Sequence, residues 1–166
     1  NLIHRIHELR DALRGNIRVA YLTNYDMTLA KLLCAGVDLW LNTPLPPMEA
    51  SGTSGMKAAV NGVPSLSVLD GWWIEGHVEA VTGWSIGDRT DTCLEPNGGM
   101  DVCHAAALYD KLEQKVLPCF YKDRERFLEI MRQSIALNGG FFNTQRMMAQ
   151  YLHNAYRLVG EAIRRG

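Results

Sequence analysis

The chain has 166 residues, 47% hydrophobic and 21% charged, which is long enough for a real core and ordinary for a globular domain, so disordered and fibrous classes are excluded. Its 17 basic and 18 acidic side chains leave a net charge of −1, which gives no electrostatic footprint for nucleic acid or an acidic membrane. No secretory leader pattern and no apolar run of membrane length occurs, so a cytoplasmic location is expected.

In chain order, residues 2–14 read as an amphipathic helix with Leu2, Ile3, Ile6, Leu9 and Leu13 on one face, ended near Gly15-Asn16. Ile17 to Leu22 is a β-branched apolar run and reads as a strand, with a turn at Thr23 to Asp26. Met27 to Ala35 reads as a helix stopped by Gly36, and Val37 to Leu41 as a second strand. The stretch from Asn42 to Met48 holds Pro44, Pro46 and Pro47 and cannot be regular structure. Pro64 to Leu69 reads as a third strand and Gly83 to Gly87 as a fourth. The polar residues 88–103 read as a surface loop. Three helices are expected after it. Ala105 to Leu117 carries Leu108, Leu112 and Val116, and a helix capped by Asp123 turns Phe127, Ile130, Met131 and Ile135 inward before Asn138-Gly139-Gly140 ends it. Residues 144–165 form the last, with Met147-Met148 and the late aromatic residues expected in the core and Arg164-Arg165 solvated at its end.

Alternating strands and helices with short connections indicate an α/β fold: a Rossmann-like parallel sheet with flanking helices and a helical C-terminal region. In such sheets ligands bind beyond the C-terminal strand ends, so Tyr25, the segment Glu49 to Lys57 and Asp70-Gly71 are expected on one rim. One domain over 1–166 is expected, with C-terminal helices over 104–166. The four cysteines, Cys34, Cys93, Cys103 and Cys119, show no CxxC pairing. Cys34 reads as a small core residue, and zinc or a disulfide framework ranks below that. His4, His7, His104 and His153 show no ligand spacing, so no metal site is expected.

The most distinctive stretch is Glu49-Ala50-Ser51-Gly52-Thr53-Ser54-Gly55-Met56-Lys57, small residues closed by two charges. Ser51, Thr53 and Ser54 can each cap a helix, and Gly52 and Gly55 permit close backbone approach to a ligand. Ala58-Ala59-Val60 followed by Asn61-Gly62 reads as a short helix with a left-handed cap. A small-residue loop feeding a helix N-terminus suits phosphate. Lys57 falls in the first turn or just past it, where the dipole field disfavours a cation and favours the neutral, nucleophilic amine.

These residues, with Asn61-Gly62, Leu69-Asp70-Gly71 and Trp72-Trp73-Ile74-Glu75-Gly76-His77, resemble the pyridoxal-phosphate site of the α-glucan phosphorylases, most closely the short bacterial and archaeal type. The longer animal-type enzymes have Gly-Asn where this chain has Ser54-Gly55. The resemblance, strongest over residues 19–90, implies the C-terminal, cofactor-bearing half of a GT-B-type glycosyltransferase of two Rossmann-like halves. The start at Asn1, inside a helical pattern, likewise reads as an excised piece whose N-terminal half is missing. By the same resemblance Lys57 forms the imine with pyridoxal 5′-phosphate, Thr53 and Ser54 donate N–H groups to its phosphate, and the ring of Tyr25 packs nearby. Glu49, Ala50, Ser51 and Gly52 would hold the sugar. The implied reaction moves the terminal glucosyl unit of an α-1,4-glucan onto inorganic phosphate, giving glucose 1-phosphate. The residues present are expected to be inactive alone, and homo-oligomerisation stays open.

Two other readings stand beside this one. A nucleotide-sugar-dependent glucan synthase also places a Glu and glycines after a strand but does not need Lys57. A non-catalytic glucan-binding domain could keep the fold. For Asp70-Gly71 the reading is a turn, for Trp72-Trp73 buried packing ahead of a sugar platform, and for Glu75 and His77 structural roles ahead of an acid–base pair.

Overall fold

The computed structural model describes residues 2–87 and 99–156, with backbone only at 99–101. The expected loop residues 88–98 with Cys93, and the end of the last helix with Val159, Ile163, Arg164 and Arg165, lie outside the described residues. The chain divides into two compact units, Asn1–Leu32 and Leu33–Gly166.

In the first unit, α1 spans Leu2–Leu13 and none of its residues is buried. Tyr21 meets His7 edge-on at 5.2 Å. The strand expected at Ile17 to Leu22 does not form: the segment is irregular and exposed. A strand exists only through a neighbour that takes its N–H and C=O groups, and among the described residues no ladder reaches this run. Helix α2 spans Met27–Gly36, and the Asp26 carboxylate caps it by accepting from Leu29 N–H at 2.8 Å.

The second unit is built on a three-stranded parallel sheet in the order β1 (Trp40–Asn42), β2 (Ser65–Val68), β3 (Gly83–Ile86). The register pairs Trp40 with Ser65 and Ser65 with Gly83. Residues of β2 and β3 are buried on both faces, as parallel strands under crossover helices are. Leu66, Val68, Trp84 and Ile86 share one face and pack with Val116, Phe127 and Ile130 as the main core. Position 83 admits only glycine, because a Cβ there would lie 2.1 Å from the Ser65 carbonyl oxygen.

Helix α3 (Thr53–Val60) follows the proline-containing loop, and the short α4 (Trp73–Gly76), absent from the sequence reading, follows β2. A long helical stretch starts earlier than expected, as α5 (Gly99–Lys111), a π-helical turn at Leu112–Val116 and α6 (Leu117–Lys122). Asp123 caps α7 (Arg124–Gln133) through Arg126 N–H, as expected. Helix α7 runs on through a π-helical turn at Ser134–Gly139 and ends with Gly140 as its C-cap, where the Asn138-Gly139-Gly140 stop was expected. Gly140 keeps right-handed helical angles, so this end lacks the left-handed cap expected of a glycine stop. A Cβ on Gly139 would make only ordinary van der Waals contact, 3.6 Å from Val60 Cγ1 of α3, so packing there does not demand glycine.

Asn143 caps α8 (Thr144–Tyr151), followed by a π-helical turn at Leu152–Tyr156. The core roles expected for Met147, Met148, Tyr151 and Ile135 are corrected, for all four are exposed. Cys34 is a buried free thiol as expected and Cys119 is free, whereas Cys103 is disulfide-bonded, against the order in which disulfides were ranked. Among the described residues no His, Cys, Asp and Glu group could hold a metal, and no helix is long and apolar enough to cross a membrane.

Candidate functional site

The rim at the C-terminal strand ends is built where the loop after β1 meets the loop after β2. Asp70, just past β2 and buried, joins them. Its Oδ2 accepts from Glu49 N–H and its Oδ1 from Gly71 N–H, each at 2.9 Å. Trp72 N–H donates to the Ser51 carbonyl at 2.8 Å. A Cβ at Gly71, where φ is +53°, would lie 2.7 Å from that same carbonyl oxygen. The two loops are thus pinned along several residues. The sequence reading took Asp70-Gly71 for a turn and missed the clamp; an aspartate directly after a buried strand, facing a loop rich in free N–H groups, was the available signal.

The glycines of the loop have a different cause from the one expected. A Cβ on Gly52 would lie 2.9 Å from Trp72 Cδ1, and one on Gly55 would lie 2.7 Å from Trp72 Nε1. Both positions therefore face the indole ring of Trp72, and their smallness lets that ring close against the loop. Trp72 and Trp73 are buried, with ring centroids 5.1 Å apart, and Phe142 meets Trp72 edge-on at 5.2 Å. Buried packing, the preferred reading of the tryptophan pair, is what the structure has. Ala59, Trp72 and Trp73 form a second small core under the rim, with Met56, Leu69 and Phe142 against it.

Helix α3 begins without the side-chain cap expected of Ser51, Thr53 or Ser54. Its N-cap is Gly52, at φ 84° and ψ 44°, and no side chain caps it. Gly55 N–H bonds to Gly52 O at 3.1 Å, but no acceptor among the described residues takes the N–H groups of Thr53 and Ser54. Those of Ala50, Ser51 and Gly52 are equally unoccupied. The helix closes as expected, with Val63 N–H bonded to Ala58 O and Gly62 N–H to Ala59 O around a left-handed Gly62. Thr53, Lys57 and Val60 make its exposed face. Lys57 is the fifth of eight residues and so belongs to the last turn as well, where the dipole suits a cation. The helix field therefore does not single out its charge as unfavourable, contrary to expectation.

Glu49 is half-buried, its backbone N–H held by Asp70 and its carboxylate without a hydrogen-bond partner among the described residues. Tyr25 is 64% exposed and belongs to the first unit. Glu75 and His77 do not pair. His77 Nε2 lies 2.9 Å from Glu79 Oε2, and Glu79 also binds Lys111 Nζ at 2.7 Å and Ser85 N–H at 3.1 Å. No sequence signal marks Glu79, whose lysine partner is 32 residues away.

A parallel α/β sheet with donor-rich loops clamped at its strand ends places this chain in the class of open α/β folds, whose general ligand position is beyond those ends. The profile of the family described as carbohydrate phosphorylase matches residues 1–85, and the chain belongs to that family. It is 42% identical over 155 residues to the maltodextrin phosphorylase of Thermococcus litoralis, covering 93% of this chain and 18% of that protein. It is 42% identical over 147 residues to the glycogen phosphorylase of Aquifex aeolicus, covering 86% and 20%. For the glycogen phosphorylase of Mycobacterium tuberculosis the identity is 40% over 169 residues, covering 99% and 19%. The chain thus spans about a fifth of the length of the curated relatives it matches.

Proposed function

We infer that these residues form the cofactor-bearing rim of an α-glucan phosphorylase, the C-terminal part of a GT-B-type enzyme. The whole protein would transfer the terminal glucosyl unit of an α-1,4-glucan to inorganic phosphate in the cytoplasm, with the remaining half of the cleft supplied by the rest of the chain. The observation that carries this is the exposed face of α3: two N–H groups without acceptors at Thr53 and Ser54, and a primary amine one turn on at Lys57. At 1.5 Å per residue, Thr53 and Lys57 stand about 6 Å apart along the axis. Pyridoxal 5′-phosphate carries its aldehyde and its phosphate-bearing arm on adjacent ring carbons, so N–H donors and an amine one turn apart on the same helix fit it.

Thr53 and Ser54 would bind the phosphate of that group through their backbone, and Lys57 would hold its aldehyde carbon. Glu49 offers only its carboxylate to sugar hydroxyls, because its N–H is already taken, while Ala50, Ser51 and Gly52 offer N–H groups. When bound, the cofactor supplies a phosphate whose second pKa of about 6 suits proton exchange with a substrate phosphate. The chain's own part is to aim donors at that phosphate and to fix the sugar beside it.

Borohydride reduction of the whole protein should fix the cofactor to Lys57, read by absorbance and peptide mapping. Lys57→Ala should abolish the reducible absorbance and lower phosphorolysis by at least about 1000-fold, some 4 kcal/mol in the barrier. A reducible band surviving in Lys57→Ala would overturn the assignment, and a wild-type protein that binds no cofactor would favour the synthase-like or glucan-binding alternatives.

A further inference from the structure

Trp72 has no part in the chemistry just described, yet it meets the backbone on both sides of the Thr53 and Ser54 donors. Its N–H holds Ser51 O at 2.8 Å. Its ring lies where side chains at three glycines would stand: Cδ1 at Gly52, Nε1 at Gly55, and Cζ3, 2.6 Å from a Cβ on Gly76. Phe142 and Trp73 close the remaining sides, and Trp72 is 6% exposed. A rigid indole has few ways to move in such a space. The first turn of α3 has no side-chain cap to hold its entry angle, so the ring and the Asp70 clamp are what hold it.

We propose that Trp72 is a positioning residue for the phosphate-binding backbone: its indole, wedged against Gly52 and Gly55, sets the aim of the Thr53 and Ser54 N–H groups. This rests on the cofactor reading above and adds to it the residue that fixes the geometry. Glycine at 55 is then a requirement of the ring. An alanine inside a helix ordinarily favours it, whereas here the added Cβ must displace Nε1 of the indole or tilt the helix.

The test compares pyridoxal 5′-phosphate with pyridoxal, which lacks the phosphate, as probes of the cofactor-free whole protein. The ratio of their dissociation constants is the phosphate preference. Gly55→Ala should lower that preference about tenfold, the scale of one misaimed charge-assisted hydrogen bond, with pyridoxal affinity little changed. Adding Trp72→Phe, which withdraws the part of the ring the new Cβ meets, should restore much of it. A merely structural role would weaken both probes together, and that result overturns the proposal. So does an unchanged preference in Gly55→Ala, or one that the second substitution fails to rescue. Should Gly55→Ala not fold, Trp72→Phe alone is measured: a lowered preference supports the proposal and an unaltered one overturns it. A wild-type protein that binds both probes equally overturns the cofactor reading, and the proposal with it.

Discussion

Two carboxylates do contrasting work around the sheet. Asp70, buried, accepts two backbone N–H groups and holds loop to loop. Glu79 gathers side chains, His77, Lys111 and Ser85, and ties the segment before β3 to the end of α5. Burial pushes the Glu79 carboxyl up, but hydrogen bonds from His77, Lys111 and Ser85 and the lysine charge outweigh it and hold the pKa at about 2, below its ordinary 4.5. The folded value lies below the unfolded one, so the stabilisation is fully present above about pH 4.5 and is lost as pH falls towards 2. With 43% of the Glu79 side chain exposed, solvent screening reduces the effect to the order of 1 kcal/mol. Urea unfolding of Glu79→Gln should accordingly show a shallower loss of stability through that window than wild type, and parallel curves would refute this account. Neither carboxylate role was legible in the sequence beyond a turn at Asp70, because each depends on partners that the fold alone brings near.

Helix α3 shows how an element can be stopped by one residue and started by none. At its end the left-handed Gly62, at φ +80°, donates to Ala59 O and turns the chain so that Val63 N–H reaches Ala58 O. Gly62→Ala would set a Cβ 3.1 Å from Ile135 Cδ1, an exposed side chain that can yield. The backbone term therefore dominates, and a loss of about 1 kcal/mol in unfolding free energy is expected. No measurable loss would mean that the cap does not hold the helix. This stop was legible because Asn61-Gly62 admits few conformations. The stop expected at Gly139-Gly140 is there too, but without the left-handed turn, so the sequence showed where the helix ends and not how. Ile17 to Leu22 has strand composition and no strand, because composition cannot supply a hydrogen-bonding neighbour. The parallel sheet and the convergence of the Glu49 and Asp70 loops were legible, since strand order and short crossovers leave few alternatives.

The family membership was readable from nine residues, whose small side chains and closing charges suit a backbone-lined anion site. What those residues do in the whole protein depends on chain that these 166 do not include, for they match about a fifth of their relatives. Among the described residues the rim offers backbone donors, the Glu49 carboxylate and the Lys57 amine, whereas on the proposed reading a substrate phosphate beside a cofactor phosphate would bring charge that needs further basic groups. On the proposed reading the 166 residues alone are therefore expected to give no glucose 1-phosphate from maltodextrin and phosphate, and the whole protein is expected to give it. Turnover by the piece alone would show that the rim is sufficient.

The contact between Gly55 and the Trp72 indole also reaches beyond this one molecule. Two places seventeen apart in the chain share one volume, so neither can drift without the other. Animal-type enzymes put asparagine where Gly55 stands, and such a chain would have to hold something much smaller than indole opposite it. Substitutions along the lineage should then arrive as a matched pair, leaving a trace of history written in steric terms.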